Sequence, residues 1–144
     1  MKDGTPENVR GRVSRAWVSV PVTMIAVIAL AGCGSSKPSY CSSRSNLENS
    51  VKNLPSAVSS SGISSLPSQV TTIKSDATTL VNDAKSDFPT QTSAVKSSVD
   101  TLATAVKGLP SSPSASQIAA IGLDASNVVS SVKSFSDASK SKCS

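Results

Sequence analysis

Apolar residues return along this chain at alternating steps of three and four, and that spacing constrains the fold more than any other feature. A first run reads Leu47, Val51, Leu54, Val58; a second reads Ile63, Leu66, Val70, Ile73, Ala77, Leu80, Ala84. A third reads Val95, Val99, Leu102, Val106, Leu109, and a fourth Ile118, Ile121, Ala125, Val128, Val132, Phe135. On an α-helix such positions fall along one side and form a narrow heptad seam. The spacing predicts four helices, each burying one stripe. With 144 residues and 3% aromatics, the chain has room for one small domain and no large aromatic core.

The segments between the runs carry turn chemistry: Ser59-Ser60-Ser61-Gly62, then Asp87-Phe88-Pro89, then Gly108-Leu109-Pro110-Ser111-Ser112-Pro113. Pro89 suits the first turn of a helix, and Ser114 with Gln117 three residues on forms a capping-box pattern. Lys85, Lys107 and Lys140 fall near helix C-termini, where a cation complements the helix dipole. Pro55 should end or kink the first helix, and Gly122 should cost the fourth about 1 kcal/mol relative to Ala. Ser, Thr and Val are weak helix formers, so packing must hold the helices. A Leu-Pro-Ser pattern at Leu54, Leu66 and Leu109 has spacings too unequal for a structural repeat, and reads as bias in loops and helix ends.

The N-terminus reads differently. Lys2, Arg10, Arg12 and Arg15 precede an uncharged run, AWVSVPVTMIAVIALA, from Ala16 to Ala31, and a polar stretch follows Gly32-Cys33. A basic start, an apolar run and small residues at its end form the pattern of a secretory signal peptide. The unbroken apolar part is shorter than the about 20 residues of a membrane span.

Leu30-Ala31-Gly32-Cys33 resembles the lipobox of bacterial lipoproteins. That resemblance implies cleavage between Gly32 and Cys33, diacylation of the Cys33 thiol and acylation of the new amine. Ala31 and Gly32 are small enough for a peptidase groove, and Cys33 supplies a soft nucleophile for the lipid. One departure is a long N-terminal region that carries Asp3 and Glu7. The remainder resembles, in composition, small Ser/Ala-rich lipoproteins of Gram-positive bacteria without assigned activity. The layout implied is a signal peptide over residues 1–32, a lipidated tether over 33–40 and a helical domain over 41–144.

Three cysteines is an odd number, and lipidation of Cys33 leaves Cys41 and Cys143 as an even pair. In an oxidising compartment a disulfide is their expected state, and closing a loop of about 100 residues contributes up to about 4.7 kcal/mol. Helix parity then matters. The start of the first helix and the end of the last lie together in an up-and-down bundle only when the helix count is even. The expected fold is therefore all-α, an antiparallel up-and-down four-helix bundle. The eight residues from Cys33 to Cys41 span at most about 26–29 Å, which keeps the disulfide end and the Phe88-Pro89 turn near the membrane. Lys37, Arg44, Lys140 and Lys142 would then face anionic lipid, and the loops Ser59 to Ser64 and Gly108 to Ser114 would face outward.

Catalytic chemistry is scarce. There is no His, which removes imidazole bases and His-ligated metals; the 33 serines have no such base to activate them. A Ser–Lys pair is the nucleophile arrangement that composition leaves open. No glycine-rich phosphate loop, Cys-x-x-Cys pair or Gly-x-Ser-x-Gly elbow occurs. Asp83 and Asp87 are four apart on one helix face, but Lys85 lies between them and they read as solvated charge rather than a cation site. Beyond residue 32 the chain has ten basic and seven acidic side chains, and only Tyr40, Phe88 and Phe135 for stacking, so nucleic acid is not an expected partner. The expected function is a non-enzymatic lipoprotein on the extracytoplasmic face of the cell membrane, needing no cofactor or metal. It would serve as an interaction or structural module, with an envelope protein as its partner. The alternative is a carrier of a small apolar ligand between the helices.

Overall fold

The structure is a computed structural model that describes residues 36–59 and 62–144. It is all-α, with no strand among the described residues. Four long helices, α1 (Ser39–Lys52), α3 (Leu66–Ala84), α4 (Pro89–Lys107) and α5 (Ala115–Cys143), are joined by turns, one of which contains the short helix α2 (Leu54–Ala57). The calls on the signal peptide, Leu30, Ala31, Gly32 and Cys33 lie outside the described residues.

Proline sets most of the helix starts. Pro38 stands at the N-cap of α1, and α2, α3 and α4 each have Pro in the first turn, where its missing N–H costs no intrahelical bond. Pro55 acts as expected: α1 ends at Lys52, and the chain turns at Asn53 before restarting. The Leu-Pro-Ser pattern has a local role at two of its three sites. Leu54 and Leu66 are fully buried while the following Pro opens the helix, so each tripeptide anchors a helix start to the core. The third copy falls in the α4–α5 loop, where Leu109 is half-buried against the core. Before α5, Ser114 accepts from the Gln117 N–H at 3.3 Å and Gln117 Oε1 accepts from the Ser114 N–H at 2.8 Å, completing the capping box.

The four stripes meet in one core. Every seam residue from the sequence is buried except Ile63, Leu109 and Ile118, which are half-buried at the rim. In this helical bundle α1 packs on α3 and α5, α3 on α4, and α4 on α5. Side-chain bonds cross between helices: the Ser43 hydroxyl donates to Asp83 Oδ2 at 2.6 Å, Ser50 donates to Asp76, and Lys74 pairs with Asp100 at 3.7 Å.

The helices are unequal. With 29 residues α5 is about 43 Å long, whereas the 19 residues of α3 and α4 give about 28 Å and the 14 of α1 about 21 Å. Two glycines near the far end of α1 differ in function. A Cβ on Gly62 would come within 2.8 Å of Ala57 Cα and Ala57 O, so the turn after α2 closes only over a hydrogen atom. A Cβ on Gly122 would meet only Val58 Cγ1, at 3.8 Å. Gly62→Ala should therefore destabilise the fold by about 1–3 kcal/mol through forced backbone shifts, and Gly122→Ala should stabilise it by up to about 1 kcal/mol through helix propensity. Urea unfolding midpoints of the two variants check both signs.

Candidate functional site

The disulfide end of the bundle is the most constructed part of the molecule. Cys41, in the first turn of α1, is bonded to Cys143, the last residue of α5, with the Cα atoms 5.5 Å apart. Below the bond the three aromatic rings of the helical domain meet edge to face. Phe88 lies 5.5 Å from Tyr40 and 5.4 Å from Phe135, and Tyr40 lies 6.4 Å from Phe135. These separations suit edge-to-face attraction, which adds about 0.5–1.5 kcal/mol per pair beyond area burial. Sequence periodicity finds Phe135 alone of the three. Tyr40 precedes the first run and Phe88 occupies a turn, so neither carries a helical signal.

The turn at Phe88 is fastened to this cluster. The Phe88 N–H donates to Ala84 O at 2.8 Å, and the buried Thr92 hydroxyl donates back to Phe88 O at 2.8 Å. Tyr40 is 3% exposed; burial raises its phenol above the ordinary tyrosine range, and the Asp87 carboxylate raises it further. The neutral phenol is the form the fold stabilises. That stability is present below about pH 10, the unfolded value, and is lost as pH rises through the higher folded value.

Two of the four cations expected to face lipid are engaged within the protein. Arg44 is turned into the α1–α5 seam, donating to Ser136 O at 3.5 Å and Ser139 Oγ at 3.4 Å and pairing with Glu48 at 3.4 Å. Lys37 Nζ donates to Cys143 O at 3.2 Å, fixing the chain just before α1 to the last carbonyl of α5. Lys140 and Lys142 are exposed. Asp83 and Asp87 do not act as a pair: Asp83 takes the Ser43 hydroxyl and Asp87 acts on Tyr40. Among the described residues no cluster of three or more His, Cys, Asp or Glu is placed to hold a metal, and no helix is long and apolar enough to cross a membrane.

Two surface grooves lie between the helices. One, of about 480 Å³ between α3 and α4, is lined by Lys74, Thr78, Asn82, Lys96 and Asp100. The hydrogen bond from Lys96 holds the Asp100 carboxyl below the ordinary range, with Lys74 adding to the effect, so this acid is a committed ion-pair partner and a poor proton acceptor at neutral pH. The other groove, of about 580 Å³, runs between α2 and α5 over Pro55, Val58, Ile118, Gly122 and Val129 and is open to solvent. No family model matches the chain, and neither a curated protein nor a solved structure matches it.

Reducing the disulfide should lower the melting temperature while leaving most of the helical circular dichroism, since the seams remain. The expected loss is about 2–5 kcal/mol. Phe135→Ala, at a fully buried ring, should cost about 3–5 kcal/mol with the bond intact. If the oxidised and reduced proteins melt together, the bond does not constrain the domain.

Proposed function

We propose that this chain is a lipid-anchored extracytoplasmic lipoprotein: residues 1–32 direct export and are removed, Cys33 carries the acyl chains, and the helical domain acts as a non-enzymatic interaction or structural module of the cell envelope. The observation that carries this reading is Leu30-Ala31-Gly32-Cys33 at the end of an uncharged run behind four basic residues. The disulfide adds support, because such bonds persist in oxidising compartments outside the cytoplasm. Two acyl chains at about 0.8 kcal/mol per buried methylene hold a protein on a membrane stably, where a single chain is reversible.

The helices of the domain run alternately up and down in this reading. Its support is register: seven residues on along α1, from Ser43 to Ser50, correspond to seven back along α3, from Asp83 to Asp76. The contact of Tyr40 with Phe88, and the bond from Cys41 to Cys143, bring the α3–α4 turn and both domain ends to one end of the bundle. The anchor attaches at that end, since only five residues lie between Cys33 and the start of α1. The α4–α5 loop and the start of α5 then point away from the membrane.

A small-ligand carrier draws on the groove between α2 and α5. Carrier sites bury about 70–90% of a ligand, and an open groove leaves one face wet, which favours the interaction module. Cys33→Ser should release the protein from the membrane or leave a longer, unacylated precursor. Membrane fractionation with intact-mass measurement reads both, and an unchanged membrane-bound mass in the variant would overturn the assignment.

A further inference from the structure

Ten basic side chains follow residue 32, and the fold divides them into two groups. Lys74 and Lys96 pair with Asp100, Lys133 with Asp137 and Arg44 with Glu48, while Lys52 donates to Asn49 Oδ1 and Lys37 to Cys143 O. Lys85, Lys107, Lys140 and Lys142 are exposed, and among the described residues their ammonium groups have neither an ion pair nor a hydrogen bond. Three of these four stand at the disulfide end. Lys85 is the C-cap of α3, three residues before Phe88, whose ring meets Tyr40 and Phe135. Lys140 and Lys142 lie in the last turn of α5, which ends at Cys143.

The acids of this end are turned to internal partners. Asp83 accepts the Ser43 hydroxyl, Asp87 acts on Tyr40 and Glu48 holds Arg44. With Lys133 and Asp137 cancelling, the side chains Lys37, Arg44, Lys85, Lys140 and Lys142 outnumber Glu48, Asp83 and Asp87 by two. That is most of the excess of three left by the ten basic and seven acidic side chains beyond residue 32. The bond from Lys37 Nζ to Cys143 O also shortens the tether, because it fixes residue 37 to the same end. The four Cα steps from Cys33 to Lys37 span at most about 13–14 Å. A charged surface acts on a cation over a Debye length of about 8–10 Å, so a tether this short holds the end close to that range.

We infer that the disulfide end is a docking surface for anionic lipid headgroups, on which Lys85, Lys140 and Lys142 seat the bundle. The set differs from the one the sequence suggests: Arg44 and Lys37 are spent on internal bonds, and Lys85 joins because the α3–α4 turn packs beside the disulfide. Each lysine that reaches the headgroups multiplies the seated population about fivefold. An acidic protein would have to enter a gap little wider than the about 10–12 Å of one helix, whereas a membrane is already at that distance. The closeness of the membrane rests on the anchoring reading; the unpaired charge does not.

Lysine footprinting of the protein as its cells make it, bound to vesicles, tests this surface. One set of vesicles is phosphatidylcholine alone and the other is equal parts phosphatidylcholine and phosphatidylglycerol. An amine-reactive ester followed by peptide mass mapping gives the labelling rate at each lysine. On the mixed vesicles Lys85, Lys140 and Lys142 should label about fivefold or more slowly than on phosphatidylcholine, while Lys107, at the far end of α4, labels equally on both. Salt at about 1 M, where the Debye length is about 3 Å, should remove the difference. Lys140→Gln combined with Lys142→Gln should return Lys85 most of the way to its phosphatidylcholine rate with helical circular dichroism unchanged, and Lys107→Gln should leave Lys85 as it is. Equal rates on the two compositions, or slowing at Lys107 as strong as at the other three, would overturn the inference. Intact mass of the same sample reports the acyl chains separately. If they are absent the anchoring reading fails, and the labelling of the three lysines on vesicles added from outside still decides whether this end takes anionic lipid.

Discussion

The bond between Cys41 and Cys143 joins residues 102 apart in sequence, and the arrangement of the helices depends on that closure. Four helices rich in Ser, Thr and Val have little intrinsic tendency to form alone, and each offers only a narrow apolar stripe. Tying the first turn of α1 to the last turn of α5 removes much of the freedom of the unfolded chain. It also brings α1 and α5 together, although they are the first and last elements and share the shortest seam of the bundle.

The aromatic trio strengthens the same end from inside. Tyr40, Phe88 and Phe135 come from α1, the α3–α4 turn and α5, so one cluster couples the disulfide to the turn between the two middle helices. Arg44 and Lys37 close the α1–α5 seam above it through carbonyl oxygens and a serine hydroxyl. Charges that would serve a membrane surface if free are used here as fasteners. Among the described residues the opposite end has no comparable device: α1 stops at Lys52, α2 covers only a few residues, and the first half of the longer α5 keeps an apolar groove open along one side. The fastenings between distant segments are thus concentrated at the disulfide end.

Sequence alone determined the helices and their buried faces, because alternating steps of three and four match the helical repeat and nothing else in the chain competes with it. Val70, Ile73, Leu80, Val95, Val99, Leu102, Val128 and Val132 all lie in the core where periodicity puts them. Capping and proline chemistry set the boundaries at Ser114, Pro89 and Pro55, because those signals act within one turn. Tertiary structure alone decided what depends on contacts between distant residues. Thr92, Ser43 and Ser139 are buried polar groups with no apolar pattern to mark them, and Tyr40 and Phe88 lie outside the periodic runs. Leu123 stays exposed because it stands on the side of α5 opposite the stripe formed by Ile121, Ala125 and Val128. Helix length can be read from sequence, but which neighbour fails to reach is settled only when the helices pack.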